Sequence, residues 1–489
     1  MGRHRKIVRN EDGLDRRQTG FYRTPAFVAD FVAATVAELN PQAASVFDPC
    51  IGDGAFVRPF LKRGYMVSGI DVLEFPLPDG IYFQKTDFLD LYRLRKQSTM
   101  NEGTQPLPQD VVVLNPPYNC HENDYIRSHK DLLSSLFTDV GVLNMYSLFI
   151  TAIIELVKPG TIIGILTLDS FFTAKAHAAL RRKILSNCAL HYLLLAPTDL
   201  FLSQGADVRT CLMILQKGRE HQHEVCVLNR PHSTDDFKLS LEQGQFPCTN
   251  ISNIVLSGEQ DNNEFIVGVP GEIRSLLEEE RLGERFRCFT GISTGSDRHY
   301  LRPTPESGHS VPFYKNPGRR KFFCEPDAYL PDNYIDIAGA VPNFIVRNKG
   351  HLTREGVICS SMGVAFSACF RPSGSTFGVN ANIYAPQDCW WLIGYLNSSL
   401  VTYLVRGVLN RSNMITSGYV SRIPLAPLSP AAKRNIASVA MAAYHRQVGP
   451  EDAQECVAKI DEMVWADLGI RASTTEQIFC FKQELLRAT

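Results

Sequence analysis

Short runs rich in valine and isoleucine alternate with helical patterns over residues 1–220, and this alternation constrains the fold more than any other feature. The runs DVVVLN at 110–115 and GTIIGILTL at 160–168 are apolar on both faces, as expected for strands inside a parallel sheet that helices cover. Further segments have strand patterns, at 44–48, 66–72, 189–196 and 209–218. Helical patterns accompany them, at 25–40, 144–157 and 170–185. The order predicts an open α/β sheet of the doubly wound, Rossmann-like kind.

Charge separates the remaining chain into further segments. The whole sequence has a net charge of −1, but residues 219–280 sum to −8 and residues 281–422 to +7, counting Lys and Arg against Asp and Glu. We expect an α/β domain over 1–220, a linker with peripheral elements over 221–280, and a mixed α+β domain with C-terminal helices over 281–489. A basic segment inside a nearly neutral chain favours a surface that binds a polyanion.

The composition excludes several classes of protein. Hydrophobic residues make up 44% and charged residues 21% of the chain, which is typical of a soluble globular enzyme. No apolar run is long enough to span a bilayer and none follows the basic N-terminus, so we expect a cytoplasmic protein without a membrane partner. The 13 cysteines are scattered without zinc-binding spacing, which indicates reduced thiols and no metal site.

A glycine turn follows the first predicted strand. The segment VFDPCIGDGAF at 46–56 ends the strand at Asp48 and turns through Gly52 and Gly54 into a helical pattern. Ligands of open parallel sheets bind outside the carboxyl ends of the strands, and glycines there allow the backbone to approach a ligand closely. The turn lacks the GxGxxG spacing of a pyrophosphate-binding loop, so the pattern does not indicate a dinucleotide.

The next two strand ends add polar groups suited to a nucleoside. Asp71 ends the second of these strand patterns, where a carboxylate can accept hydrogen bonds from the ribose hydroxyls. The sequence KTDF then offers Asp87 for an adenine amino group, beside the Phe88 ring. A glycine turn, an acid and an Asp-Phe pair in this order fit a nucleoside without phosphate, which indicates S-adenosylmethionine as the cofactor.

The segment Asn115-Pro116-Pro117-Tyr118 directly follows an apolar strand pattern and is the sharpest signal of chemistry. Its prolines fix φ and lack N–H groups, so the segment is stiff and rich in acceptors. The Asn115 side-chain oxygen and the Pro116 carbonyl can each accept one hydrogen of an adenine amino group, which localises the nitrogen lone pair for attack on a methyl group. Tyr118 can stack on the base, which is worth ~1–3 kcal/mol.

Together with these motifs, the stretch GFYRTPAFVADFVA ahead of the glycine turn resembles the gamma class of adenine-N6 DNA methyltransferases. The resemblance implies a Rossmann-like S-adenosylmethionine-dependent methyltransferase domain followed by a mixed α+β target-recognition domain. It also implies a cofactor site that consists of Thr24, Asp48, Cys50, Gly52, Gly54, Asp71, Val72, Asp87, Phe88 and Phe149.

The resemblance assigns roles within this site. Thr24 is expected to help close over the methionine moiety of the cofactor. Phe149, in NMYSLFITAIIELVKPGT, is expected to lie against the cofactor adenine opposite Val72. Phe201, in TDLFLSQGADVRTCLMIL, is expected to pack against the extruded target base together with Tyr118.

Weaker matches to the same family continue through the basic segment, among them CFTGISTGSDRHYLRP and VPNFIVRNKG. Since lysine and arginine neutralise phosphate groups, we expect DNA contacts from Arg319, Arg320, Lys321, Arg347 and Lys349. Duplex DNA hides the adenine amino group inside the stack, so the target base has to be flipped out. The sequence thus predicts a site-specific adenine-N6 methyltransferase that acts on double-stranded DNA; whether a cognate restriction endonuclease is a further partner stays open.

Two alternatives remain. The same Asn-Pro-Pro-Tyr loop serves enzymes that methylate glutamine in proteins or adenine in RNA, although the long segment after the catalytic domain favours DNA. The second alternative is a non-catalytic DNA-binding subunit of a restriction–modification system. Such a subunit has no need of Asn115 and the full cofactor set.

Overall fold

The structure is a computed structural model, and it describes residues 20–102, 106–118, 124–142, 144–206, 208–218, 224–256, 262–362, 365–409 and 414–487. The chain divides into two compact units, a first unit of Met1–Gly268 and a second unit of Val269–Thr489. The division lies inside the segment 221–280 that the sequence analysis assigned to a linker. Most of that segment therefore belongs to the first unit.

The first unit is organised around a nine-stranded sheet. Its strands are β1 (Ser45–Asp48), β2 (Met66–Asp71), β3 (Ile81–Lys85), β4 (Val111–Leu114), β5 (Ile162–Leu168), β6 (Cys188–Leu195), β7 (Thr210–Lys217), β8 (Val225–Leu228) and β9 (Cys248–Thr249). Six of them lie within or close to the six strand patterns of the sequence. All four residues of β4 and six of the seven in β5 are buried, as expected for strands that are covered on both faces.

The strand order is β3-β2-β1-β4-β5-β7-β6-β8-β9. The first five strands in this order run parallel, whereas β7 is antiparallel to both β5 and β6. Parallel neighbours place their carboxyl ends at one edge of the sheet. The ends of β3, β2, β1 and β4 therefore lie side by side, and the predicted site residues follow these four strands.

Helices pack on both faces of the sheet and give it two separate hydrophobic cores. One core receives α3 (Phe88–Glu102), α4 (Asp124–Ser128), α5 (Lys130–Leu136), α6 (Met145–Leu156) and α7 (Ala178–Asn187). The other receives α1 (Ala26–Leu39), α2 (Arg58–Lys62) and α8 (Thr234–Gln243). The predicted Rossmann-like fold class is confirmed by this arrangement.

The predicted helix at 170–185 is shorter than its pattern. Two 3-10 turns, Asp169–Phe172 and Lys175–His177, precede α7, which begins only at Ala178. The buried Arg181 guanidinium donates hydrogen bonds to the Phe171 and Ala174 carbonyls, at 2.5 and 2.8 Å. The Ala174 carbonyl also accepts from the His177 amide at 3.0 Å, three positions further on, which is the spacing of a 3-10 turn and not of an α-helix.

The segment 225–266 extends the first unit. Its strands β8 and β9 join the main sheet, and a small hairpin follows from β10 (Val255–Leu256) and β11 (Glu264–Phe265). The Arg230 guanidinium donates to the buried carboxylate of Asp169 and to the Ala196 carbonyl. This ion pair ties the segment to the carboxyl ends of the central strands.

The second unit is a mixed α+β structure, as predicted. Its strands are β12 (Arg287–Phe289), β13 (Ile292–Ser293), β14 (Val311–Tyr314), β15 (Ala328–Leu330), β16 (Ile345–Val346), β17 (Gly356–Cys359), β18 (Ala368–Arg371), β19 (Thr376–Phe377) and β20 (Asn382–Tyr384). They form sheets of two to four strands. Its α-helices are α9 (Gly271–Leu276), α10 (Leu282–Arg285), α11 (Asp297–Tyr300), α12 (Tyr334–Ala340), α13 (Cys389–Asn397), α14 (Ser399–Tyr403), α15 (Ser417–Val420), α16 (Pro430–His445), α17 (Pro450–Leu468) and α18 (Ala472–Arg487).

A π-helical turn, Leu404–Leu409, continues α14. In the part of the chain that the structure describes, no single helix is long and apolar enough to cross a membrane. The pair Cys389–Asn397 and Ser399–Leu409, bent by 62°, has a suitable length and composition. Nearly all of its side chains are buried.

Candidate active site at the carboxyl ends of the strands

The glycine turn after β1 is held by two carboxylates, the buried Asp48 and the half-buried Asp71. Asp48 is 2% exposed, and its Oδ1 accepts a hydrogen bond from the Cys50 amide at 2.9 Å. Burial raises the pKa of Asp48 to about 7, and the nearby Asp71 charge acts in the same direction. Gly52 has φ +52°, and its amide donates to Asp71 Oδ2 at 3.0 Å. The turn therefore joins the end of β1 to the end of β2.

The glycines of this turn leave no room for larger residues. A Cβ at Gly52 would lie 2.4 Å from the Phe21 ring, and one at Gly54, where φ is +77°, would lie 3.1 Å from Leu77. Both positive φ values also disfavour any other residue. The predicted role of these glycines in a close backbone approach fits this geometry.

Asp71 at the end of β2 binds the backbone but keeps acceptor capacity. Its Oδ1 accepts from the Leu73 amide at 2.9 Å, and burial raises the pKa of this carboxyl. Each carboxylate oxygen carries two lone pairs, so further donors such as ribose hydroxyls can still be accepted. Val72, the next residue, is 55% exposed.

The Asp87 side chain after β3 has several hydrogen-bond partners within the protein, among them the Asp90 amide at 3.4 Å from Oδ1. Its Oδ1 accepts from the Leu89 amide at 2.8 Å, at the start of α3, and its Oδ2 accepts from the Tyr125 hydroxyl at 2.7 Å. Phe88 is 2% exposed and packs on Phe149, with ring centroids 4.9 Å apart. The two rings predicted to meet the cofactor adenine are thus in contact with each other, and their role at the cofactor stays a prediction.

Cys50 lies in the turn between Asp48 and the catalytic loop. Burial raises the pKa of its thiol well above the usual value, and the charges of Asp48 and Asp71 act in the same direction. The thiol therefore stays protonated at neutral pH. This excludes Cys50 as a thiolate nucleophile and leaves it a small residue that lines the turn.

The predicted catalytic loop, residues 115–118, follows β4 without regular secondary structure. Asn115 is half-buried, and its Nδ2 donates to the Tyr22 carbonyl at 2.8 Å and to Thr24 Oγ1 at 3.2 Å. Both amide hydrogens are thereby used within the protein. Oδ1 is the remaining polar atom of the side chain, and it can only accept. Pro116 is buried and Pro117 is half-buried beside it.

Three aromatic rings lie together at the end of this loop. Tyr118 and Phe201, which the sequence analysis paired, have ring centroids 6.0 Å apart at an interplanar angle of 72°. Tyr22 is the third ring: it stacks on Tyr118 at 5.4 Å and tilts against Phe201 at 5.5 Å. Phe201 is fully buried, whereas Tyr118 and Tyr22 are half-buried. The predicted aromatic pair is therefore brought together, with a member that the sequence analysis missed.

Residues 20–24, here called the strap, cross the site without regular secondary structure. Its Gly20 carbonyl accepts from the Tyr118 amide at 3.4 Å, and its Arg23 side chain pairs with Asp53 at 2.6 Å. Gln204 binds the strap backbone on both sides of Arg23, with hydrogen bonds of 2.8 and 2.9 Å. The strap thus touches the glycine turn, the catalytic loop and the segment that carries Phe201.

Sequence reasoning missed most of these partners because they are distant along the chain. Tyr22 and Asn115 are 93 positions apart, and Arg23 and Gln204 are 181 apart. The one available signal for Tyr22 was its place two residues before the Thr24-Pro25 motif. Tyr125, the partner of Asp87, carried no signal of its own.

The predicted DNA-contacting residues of the second unit have different environments. Arg319, Arg347 and Lys349 are exposed. Arg320 is exposed but donates to the Pro317 and Asn316 carbonyls and to Asp327. These four placements are compatible with phosphate contacts, and the assignments stay predictions.

Lys321 differs from this prediction. Its Nζ donates to the Phe366 carbonyl, and to the carbonyl and the side-chain oxygen of Asn397, at 3.0 to 3.3 Å. Burial lowers the pKa of this ammonium group to about 7. Its charge is directed into the second unit, because three acceptors there hold it, and this is not the placement of a phosphate-binding side chain.

The residues at the sheet edge fit the predicted cofactor. A glycine turn with positive φ, the acceptor Asp71 and the apolar Phe88–Phe149 pair follow adjacent strands in the order that a nucleoside requires. Asp71 would hold the ribose, and the turn of Gly52 and Gly54 would hold the methionine part.

Comparison with known proteins finds a family match for part of the chain. Residues 89–266 match the family model described as N-6 DNA methylase, which includes the catalytic loop, Phe149 and Phe201. The chain is similar to the Type II methyltransferase M.BanIII of Aneurinibacillus aneurinilyticus, with 24% identity over 202 residues. That match spans 36% of this chain and about a third (34%) of the relative.

Solved structures resemble the chain over most of its length. The Type IIL restriction-modification enzyme MmeI, in complex with DNA, aligns with a TM-score of 0.61 and 11% identity over 97% of this chain and 80% of that one. A nuclease-deletion mutant of the Type ISP enzyme LlaGI, with a DNA substrate mimic, aligns with a TM-score of 0.55 and 14% identity over 89% and 55%. At these identities the likeness shows the fold alone.

These findings confirm the predicted resemblance for the segment that they match, whereas the gamma subclass stays a prediction. Thr24, Asp48 and Asp71 precede the matched segment, so their assignment depends on the geometry of the sheet edge. What the comparisons show of this chain is a match of residues 89–266 to the N-6 DNA methylase family model.

Proposed function

We propose that this chain is a site-specific DNA methyltransferase that transfers a methyl group from S-adenosylmethionine to N6 of an adenine flipped out of duplex DNA. The observation that carries the proposal is the pairing, after β4, of an acceptor-oriented Asn115 with the Tyr118 and Phe201 rings. A planar base whose amino group donates two hydrogens matches an acceptor oxygen beside two aromatic rings.

The residues of the loop act on the amino nitrogen. Bound S-adenosylmethionine supplies an electrophilic methyl group on its sulfonium. Asn115 Oδ1 and the Pro116 carbonyl each accept one amino hydrogen, which directs the nitrogen lone pair out of the plane of the base. They would hold the nitrogen while its bond to the methyl carbon forms and the bond from that carbon to the sulfonium sulfur breaks; one amino proton then leaves to solvent. Tyr118 and Phe201 keep the base in place and exclude water from it.

Support for duplex DNA as the substrate comes from the second unit and from the relatives. The second unit presents exposed cations at Arg319, Arg347 and Lys349, which suit a polyanion. The structural resemblance to MmeI and LlaGI, both seen with DNA or a DNA mimic, extends over 97% and 89% of this chain and so includes most of this unit. The relative M.BanIII is named as a Type II methyltransferase.

The test compares three substrates in one assay. Purified protein with tritiated S-adenosylmethionine is given duplex DNA, total RNA or a ribosomal protein extract, and modified adenines in the DNA are mapped by single-molecule sequencing. We expect incorporation into DNA at N6 of adenine in one sequence context. Incorporation into RNA or protein instead would replace the substrate, and cofactor binding without any transfer would favour a non-catalytic subunit.

Asn115→Ala tests the catalytic residue in the same assay. We expect transfer to fall at least about 10²–10³-fold, the typical cost of removing one preorganised polar group from an active site. The affinity for S-adenosylmethionine and the unfolding temperature should stay unchanged. The matched control is Asn253→Ala, an exposed asparagine of the same unit. Normal transfer by a folded Asn115→Ala protein contradicts the proposal.

A further inference from the structure

The strap holds the one side chain whose orientation decides the proposed reaction. An asparagine amide can turn by 180° about its last bond, and the two orientations exchange a donor for an acceptor. With Oδ1 towards the substrate, Asn115 accepts an amino hydrogen. With Nδ2 there, two N–H donors face the amino group and the reaction loses its acceptor. Some group of the protein therefore has to select one orientation.

The strap supplies that selection through the Tyr22 carbonyl, and the Thr24 hydroxyl adds a second hydrogen bond to the amide in the selected orientation. The Tyr22 carbonyl can only accept, and it lies 2.8 Å from Nδ2. The Thr24 hydroxyl lies 3.2 Å from the same atom and is 6% exposed, so water does not compete for it freely. Turning the amide over would bring Oδ1 against the Tyr22 carbonyl oxygen, which is a repulsive contact between two acceptors.

We propose, building on the function above, that Thr24 is a positioning residue for Asn115 and that the strap fixes the amide with its oxygen towards the substrate. Thr24 thereby acts on the transfer step through Asn115, in addition to any contact with the cofactor. Its hydroxyl accepts one amide hydrogen, and the Tyr22 carbonyl accepts the other.

The strap itself is held in register by the segment that carries Phe201. Gln204 donates through Nε2 to the Arg23 carbonyl and accepts through Oε1 from the Arg23 amide, at 2.9 and 2.8 Å. Arg23 stands between the two residues that bind Asn115, so this double hydrogen bond fixes both. Gln204 therefore helps to hold the orientation of the Asn115 amide without contacting Asn115, through the backbone of Arg23.

The kinetic test uses a pair of substitutions that differ by one hydroxyl. Thr24→Val keeps the size and shape of the side chain but removes the acceptor, whereas Thr24→Ser retains it. For Thr24→Val we expect kcat to fall about tenfold, with KM for DNA and Kd for S-adenosylmethionine changed less than about twofold. Thr24→Ser should keep kcat within about twofold of the unmodified protein. Gln204→Ala should lower kcat by a smaller factor, about threefold.

Two kinetic outcomes overturn the proposal. One is an equal loss of kcat in Thr24→Val and Thr24→Ser, which would indicate packing rather than acceptance. The other is a raised Kd for S-adenosylmethionine with unchanged kcat in Thr24→Val, which would assign Thr24 to the cofactor alone.

A second measurement tests the orientation of Asn115 without any substrate, so its result does not depend on which substrate the protein methylates. In protein labelled with ¹⁵N-asparagine and free of cofactor and DNA, the side-chain amide signals of Asn115 are identified by their loss in Asn115→Asp. We expect Thr24→Val to shift these signals upfield and to speed the exchange of their protons, since one hydrogen bond is lost, and Thr24→Ser to leave them in place. Unchanged signals in Thr24→Val contradict the proposal even if DNA is methylated. Shifted signals support it even if the unmodified protein methylates another substrate.

Discussion

The predicted site residues of the first unit and those of the second unit are charged or polar in similar numbers, but the fold uses them differently. In the first unit, Asp48 and Asp71 are drawn into one turn, where burial works against their charged forms. In the second unit, Arg319, Arg347 and Lys349 lie at the surface, while other cations of the same basic segment are buried. Burying the carboxylates of the first unit lowers its stability but fixes their geometry. Those three surface cations of the second unit have no such energetic cost, and among the residues that the structure describes no ion pair fixes their positions.

The charge of the basic segment illustrates this difference. Residues 281–422 sum to +7, but Arg281, Arg371 and Arg406 are buried and Lys321 is bound by internal acceptors. Their charges stabilise the second unit from inside. The surface that remains for a polyanion is therefore smaller than the count from the sequence suggests.

The largest expected effect is the loss of stability on ionisation of the buried Asp48 carboxyl. Its pKa of about 7 in the folded protein lies above the ordinary value of 3.8, so the folded protein retains a proton that the unfolded chain releases between those pH values. The free energy of unfolding should therefore fall as pH rises from about 4 to about 7 and then level off. At about 1.4 kcal/mol for each pKa unit, the fall attributable to Asp48 is several kcal/mol.

Asp48→Asn should remove this fall while keeping an oxygen for the Cys50 amide. Chemical denaturation at several pH values gives the free energy of unfolding of both proteins. The difference between them should be largest above pH 7 and smallest near pH 4. The exposed Asp79→Asn serves as the control and should run parallel to the unmodified protein. If the free energy of unfolding of Asp48→Asn changed with pH as it does in the unmodified protein, ionisation of Asp48 would not be the cause of the fall.

The next prediction tests whether a buried cation stabilises the second unit. Arg371 is 1% exposed, donates to the Ser375 and Arg354 carbonyls and to Asn382, and stacks its guanidinium on the Phe377 ring at 4.6 Å. Arg371→Met leaves several buried acceptors unpaired, at about 1–3 kcal/mol each. We expect the second unit to lose about 3 kcal/mol or more of stability.

Hydrogen exchange locates this loss. Protection in β17 and β18 should fall in Arg371→Met, while β4 and β5 of the first unit keep theirs. Arg347→Met, an exposed cation of the same unit, should change neither. Equal protection in all three proteins would show that the buried cation does not stabilise its sheet.

The sequence predicted the first unit well because its signals are local. A buried parallel strand is a short β-branched run, and its end is marked by a polar or glycine residue within a few positions, as at Asp48, Asp71 and Asn115. These signals place each residue at the correct sheet edge without knowledge of any distant contact. The positions of the Asn115–Tyr118 loop and of the glycine turn at the ends of β4 and β1 could be predicted for this reason.

The contacts across the site could not be predicted in the same way. The Asn115 amide is oriented by residues more than 90 positions away, and Asp87 binds a tyrosine 38 positions away. In the second unit, strands such as β13, β16 and β19 have two residues each, too few to show a period. Whether Lys321 points outwards or inwards depends on Asn397, which no local pattern reveals.

A smaller effect is expected for the aromatic rings of the proposed base pocket. Loss of one stacking ring costs about 1–3 kcal/mol per base, so Tyr118→Ala should raise KM for DNA by about tenfold or more. Tyr118→Phe keeps the ring and gives up only a 3.4 Å hydrogen bond to the Leu166 carbonyl, so it should stay within about threefold. Fluorescence of 2-aminopurine at the target position measures base flipping directly. Equal losses in both variants would assign the effect to the hydroxyl instead of the ring.

The smallest effects separate the exposed cations of the second unit from the internal one. Each phosphate contact releases about one condensed counterion, so losing one contact lowers the slope of log affinity against log salt by about 1. Arg347→Ala and Lys349→Ala should each reduce this slope and weaken DNA binding several-fold at low salt, irrespective of sequence. Lys321→Met should leave the slope unchanged, because its ammonium group is held by the Phe366 and Asn397 oxygens and does not face the solution. The opposite result would be a slope that falls in Lys321→Met and stays unchanged in Arg347→Ala and Lys349→Ala. It would show that Lys321 contacts phosphate and that the two exposed cations do not.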